Sequence, residues 1–206
     1  MRAVGGTAFI HELDVGDAQS VDAMFAACEA EFGVVDVVVN NAGMSTPGWL
    51  HNVSAEAIER EAATNFLGPM LITRRAVIAL RRAELGGDIV FISSDAVRNA
   101  RPRQSVYAGT KAAVELFARS IGMELEGTGI RSTTVRVGPC MSEFGFGWDP
   151  DELGDLLAYW PRFGLQRHGG VLDALDVAHA VVAVVTARPG VVYDTLEIQP
   201  EAPRSN

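Results

Sequence analysis

The chain has 206 residues, 48% of them hydrophobic and 21% charged, which suits one globular domain with a sizeable buried core and excludes a disordered chain. A formal charge of −9, with the arginines dispersed among acids, leaves no basic stripe for a polyanion, so no nucleic-acid partner is expected. Cys28 and Cys140 are too few for a disulfide framework, no apolar run reaches membrane-span length, and the first residues read as no signal peptide; a cytoplasmic protein without a membrane partner is expected.

The first run, "TAFIHEL" (residues 7–13), predicts a strand ending at Asp14. Val21, Met24, Phe25, Cys28 and Phe32 then recur at helical spacing until Gly33, which predicts a helix. The β-branched run "VVDVVVN" (residues 34–40) has the pattern of a strand buried on both faces. A long helix is expected from the cap region at Ser54 to about Arg82, a buried strand over residues 88–94, and a helix over residues 108–126 ending near Gly127. A strand at 130–137, a helix around 176–185 and a strand at 191–198 follow; residues 138–170 are the only long irregular stretch. Strand and helix alternate throughout, which predicts a single α/β domain built on a doubly wound parallel sheet.

Ligands of such sheets sit outside the carboxyl ends of the strands, and the distinctive residues fall there. Asn40, Asn41, Ala42 and Gly43 end one predicted strand, Ser93 and Ser94 the next, and "VGPC" (residues 137–140) the one after. Beyond the second of these, Tyr107 stands four residues before Lys111, the only lysine beside 16 arginines. With three tyrosines and one lysine, chance supplies roughly 0.015 such pairs. Arginine cannot replace a compact ammonium whose proton must move, so a lone retained lysine points to a site that needs one.

Together these residues resemble the short-chain dehydrogenase/reductase family: "LDV" (residues 13–15), "NNAG", Asn65 in "TNFLGP", "ISS" ending at Ser94, Tyr107-x-x-x-Lys111, "VGP" and "YDTLEIQP". Ser94 also precedes Tyr107 by thirteen residues, as the catalytic serine does in that family. The resemblance implies a Rossmann-like fold and an NAD- or NADP-dependent oxidoreductase interconverting an alcohol and a ketone. It makes Tyr107 the acid/base, Lys111 the cation that favours its phenolate and binds the nicotinamide ribose, Ser94 the group that orients the carbonyl, and Asn65 the holder of a relay water. It implies further cofactor contacts from Asp14 (adenine), Val15, Asn40, Asn41, Ala42, Gly43, Pro139 and Ser142, and a homo-oligomer, dimer or tetramer. Asp14 reads equally as a helix cap, and Asn65 as a mid-helix residue bonded to its own helix. The four histidines show no metal-ligand spacing. Trp148, Tyr159, Trp160 and Phe163 read as the lining of a cleft for a small hydrophobic alcohol or ketone, with an aromatic oligomer contact as the rival.

One departure from the family pattern is large. The family opens on a strand and a Gly-rich turn that cradles the pyrophosphate, and the 206 residues contain none; Gly5-Gly6 is followed by no helix N-terminus. The domain is therefore expected to be incomplete at the N-terminus, with residues 7–13 short of a neighbour and residues 34–40 forming an exposed apolar edge. The residue that selects NAD or NADP would lie in the same stretch. Two functions follow: an oxidoreductase, or a non-catalytic remnant acting as an interaction or regulatory protein. Four cooperating groups, Asn65, Ser94, Tyr107 and Lys111, favour the first.

Overall fold

The computed structural model describes residues 5–142, 144–145, 148–164 and 168–204. Four parallel strands form its sheet in the order β1 (Val37–Asn40), β2 (Gly87–Ser94), β3 (Ile130–Val137), β6 (Thr195–Ile198). Helices cover both faces, as the alternation predicts. On one side α1 (Ala18–Phe32), α3 (Gly68–Ala83) and α4 (Ser105–Glu124) bury Val21, Phe25, Ile72, Leu80 and Val114 against Val38, Ile89 and Phe91. On the other, α6 (Ala174–Val185) packs Ala180 and Val184 on Val90, Val135 and Val137. Alternate side chains of β2 thus enter two different cores, which is why its run is apolar without a break.

At β1 the expectation of burial on both faces fails. Val38 and Asn40 are buried, whereas Val37 and Val39 remain 40% and 41% exposed. Only the face toward α1 and α3 is covered, and β1 is the sheet's edge. Residues 7–13 form no strand: they run irregularly, and Ile10 is 93% exposed. An extended segment gains strand structure only by pairing.

The long helix expected from Ser54 exists, with the Ser54 hydroxyl accepting the Ala57 N–H at 3.2 Å, but it is not regular. Between α2 (Ala55–Ala62) and α3 a π turn spans Ala63–Leu67, and the Gly68 N–H reaches back five residues to Ala63 O. Pro69 contributes to this: four residues beyond Asn65, it has no N–H to give the Asn65 carbonyl. The last strand is shorter than predicted, and the chain before it is held by the Arg131 guanidinium, which donates to the carbonyls of Ala187 and Val191 at 3.0 and 3.1 Å. Residues 138–170 also hold more structure than predicted: β4 (Cys140–Met141) pairs with β5 (Leu172–Asp173), and α5 (Pro150–Arg162) turns a fully buried Leu156 inward.

Candidate active site

Three elements converge at the carboxyl ends of β1 and β2. The first turn of α4 carries Tyr107, 9% exposed, and one turn on Lys111, 5% exposed, which the helical repeat stacks on one face. Lys111 Nζ donates to Ile92 O at 2.7 Å and lies 5.8 Å from the centre of the Tyr107 ring. Ser94 ends β2, where its Oγ accepts the Ala96 N–H at 3.2 Å and caps the short turn Asp95–Val97. The π turn supplies Asn65: its amide donates to Thr110 Oγ1 at 3.1 Å, and Thr110 in turn donates to Tyr107 O at 2.9 Å. Gly43 closes the group. A Cβ there would stand 3.4 Å from Lys111 Nζ and 3.6 Å from Asn65 Oδ1, so the backbone after "NNAG" passes directly over both.

Burial sets the electrostatics. It drives the Tyr107 phenol above its ordinary 10.0; the Ser94 hydroxyl and Arg101 oppose the rise, while Asp95 and Glu61 add to it. Burial lowers Lys111 from 10.5 to about 8: Nζ bonds to a neutral carbonyl, and among the described residues no carboxylate pairs with the ammonium to offset its desolvation.

Two rival readings from the sequence fail. Asn65 is not bonded to its own helix: its Oδ1 accepts the Met44 N–H and its Nδ2 donates to Met44 O, both at 2.8 Å. Asp14 is no cap, because Asp17 caps α1 and the Asp14 carboxylate accepts the Gly16 N–H at 2.9 Å instead. Asn40 is 5% exposed and both polar atoms of its side chain lack a partner among the described residues, whereas Asn41 and Ala42 are exposed. Val15 packs against Gly68. Pro139 O accepts the Leu172 N–H at 2.8 Å and Ser142 Oγ the Phe144 N–H at 3.2 Å. Among the described residues, neither Asp14 nor Ser142 bonds to Ser94, Tyr107 or Lys111.

Of the four aromatics, Trp148 lines a cleft of about 470 Å³ with Gly43, Ser45, Arg60 and Phe144. Phe144, which the sequence reading missed, packs on Tyr107 with ring centres 5.3 Å apart. Tyr159 and Phe163 stack on each other, and Trp160 lies on the Arg101 guanidinium. Arg101 also forms a buried ion pair with Asp95 at 2.7 Å beside Ser94; charges flanking the "ISS" motif were its only signal in the sequence. A larger hollow of about 750 Å³ lies at the amino ends of the strands, between Gly87, Ile130 and Val192, the wrong end for the chemistry of such a sheet. No group of His, Cys, Asp or Glu among the described residues could hold a metal ion.

Lys111, with N–H groups to spare among the described residues, the Asn40 amide, unpartnered among the same residues, and the close Gly43 backbone fit the sugar and amide groups of a nicotinamide nucleotide. The 206 residues contain no Gly-rich turn into a helix that would fit its pyrophosphate.

Residues 1–152 match the family model described as short chain dehydrogenase. The uncharacterized oxidoreductase YgfF of Escherichia coli is 34% identical over 193 residues, 91% of this chain and 76% of that relative. A chloroplastic NADPH-dependent aldehyde reductase-like protein of Arabidopsis thaliana is 31% identical over 84% of this chain, which spans 64% of that relative. Among solved structures, the closed form of a serine dehydrogenase complexed with NADP+ superposes with a TM-score of 0.82 at 28% identity, covering 100% of this chain and 82% of that one. An alcohol dehydrogenase from Thermococcus sibiricus complexed with 5-hydroxy-NADP gives 0.79 at 25% identity, covering 100% and 80%.

Proposed function

The chain belongs to the short-chain dehydrogenase family, and we propose that within it the protein is an NAD- or NADP-dependent oxidoreductase interconverting an alcohol and a ketone. The observation that carries this reading is Lys111: a buried ammonium beside a buried phenol, held by one neutral carbonyl. A cation in that position destabilises the fold, and no ion pair among the described residues offsets the cost; proton transfer at Tyr107 gives it a use.

The bound dinucleotide supplies or accepts the hydride. Tyr107 gives its phenolic proton to the carbonyl oxygen during reduction and takes it back during oxidation. Lys111 favours the phenolate in both directions and would hold the ribose hydroxyls with its remaining N–H groups. Ser94 Oγ donates to the same carbonyl oxygen and orients it. Asn65, with its side chain committed to Met44 and Thr110, fixes the turn at which a relay water would reach Lys111. Asn40 and the 41–43 backbone would hold the nucleotide, with Asp14 and Val15 toward the adenine and Pro139 and Ser142 toward the nicotinamide.

Phe144, Trp148 and Met44 along the cleft support a small hydrophobic substrate. A cytoplasmic homo-oligomer belongs to the same reading; no helix among the described residues is long and apolar enough to cross a membrane. The test is Tyr107→Phe in a preparation with measurable NAD(P)H-linked turnover. Turnover falls about 10²–10⁴-fold while dinucleotide binding is retained. Turnover within a few-fold of wild type overturns the assignment.

A further inference from the structure

Glu61 is an acid that the proposed chemistry does not use. It lies on α2, one turn before Asn65, and is 0% exposed. Its Oε2 accepts the Thr46 N–H at 2.9 Å, and Oε1 has no partner among the described residues. Asn65, on the same helix face, grips both backbone groups of Met44. Two side chains from successive turns of one helix therefore fix three backbone groups of the 44–46 segment. That segment is a wall of the 470 Å³ cleft. Between the two clamped residues, Ser45 O accepts the Trp148 Nε1–H at 2.8 Å; Trp148 packs edge-on to Phe144, and Phe144 packs on Tyr107. A chain of contacts thus runs from Glu61 through the loop to the aromatic wall facing the acid/base residue.

We propose that Glu61 is a positioning residue which, as a hydrogen-bond acceptor paired with Asn65, clamps the 44–46 loop and through Ser45 seats Trp148 in the wall of the substrate cleft. The proposal rests on reading this cleft as the substrate site. Its chemistry follows from the surroundings. Burial pushes the Glu61 carboxyl up against the pull of the Thr46 N–H, and among the described residues no cation is bonded to it. In either protonation state the carboxyl offers the oxygen lone pair that the Thr46 N–H needs, and an amide would offer the same.

Two substitutions in the full chain separate acceptor from charge and from packing: Glu61→Gln keeps an acceptor without charge, and Glu61→Leu keeps bulk without an acceptor. The readouts are hydrogen exchange at the Thr46 amide and the indole N–H resonance of Trp148, assigned with Trp148→Phe. Gln leaves Thr46 exchange within about twofold of wild type, whereas Leu accelerates it about tenfold or more and shifts the indole resonance. Where Leu does not fold, Glu61→Ala, which admits water in place of a branched chain, gives the same acceleration. Exchange at the wild-type rate in the variant lacking an acceptor overturns the clamp. Equal acceleration in Gln and Leu overturns the acceptor role, since an amide oxygen would then fail to hold the loop. Neither readout uses dinucleotide or turnover, so a protein without dehydrogenase activity would sink the function proposed above and leave this result standing.

Discussion

Replacing Lys111 by methionine tests the electrostatics on which the site rests. Methionine keeps an unbranched chain of similar length and removes the ammonium. In the folded protein Lys111 titrates at about 8, against an ordinary 10.5, so between these values the unfolded chain holds a proton that the folded chain has lost. Wild-type stability therefore rises with pH across that window, and the destabilisation is fully present below it. The whole shift corresponds to about 3 kcal/mol near pH 7, and roughly 2 kcal/mol of it is relieved by about pH 9.5. Tyr107, raised by burial, titrates above this range. The assay is paired denaturant or thermal unfolding of wild type and Lys111→Met from about pH 7 to 9.5, read as the difference between the two proteins so that other groups cancel. For a chain of this size, the melting temperature of wild type should gain about 4–8 °C on the variant over that range. A difference that does not move with pH would mean that Lys111 is not desolvated as its burial requires, and the account of its charge would be refuted.

Lys111→Arg keeps the charge but cannot present a compact, proton-releasing ammonium; activity falls steeply and the basic limb of the pH–rate profile moves, and an unchanged profile would return the lysine to chance. The 206-residue chain by itself lacks a pyrophosphate cradle in its sequence, and with charge-assisted bonds contributing roughly 1.5–3 kcal/mol each, losing two or three weakens binding by several orders of magnitude. Calorimetric titration with NAD(H) and NADP(H) is expected to show no micromolar binding, and micromolar affinity would contradict this account. The aromatic wall favours hydrophobic ketones over phosphorylated sugars, and the reverse preference in a substrate screen would overturn that assignment.

What could be read from the sequence depended on the range of the interactions. The α4 face carrying Tyr107 and Lys111 is a local repeat, and Ser94 and Asn40 end apolar runs, so their placement at strand ends follows from periodicity alone. The rival reading of Asp14 as a cap could not be dismissed from the sequence, because two acids, Asp14 and Asp17, precede α1 and only backbone conformation decides that Asp17 caps it. The expected strand at residues 7–13 failed for a related reason: its composition suits a strand, but a ladder needs a neighbour that composition does not report.

The loop clamp lay furthest from view. Glu61 and Thr46 are 15 residues apart, and Asn65 and Met44 are 21 apart, so no spacing rule links them. In the sequence Glu61 is one acid among several on an amphipathic helix, where a solvated face is the expected reading. Its burial is decided by the irregular 44–46 backbone, whose N–H groups find no strand or helix partner and take side-chain acceptors instead. The same requirement explains why Asn65 sits at the π turn. The residue that grips Met44 must face the loop, and the wider turn resets the phase of the helix between α2, which bears Glu61, and α3, which packs on β1.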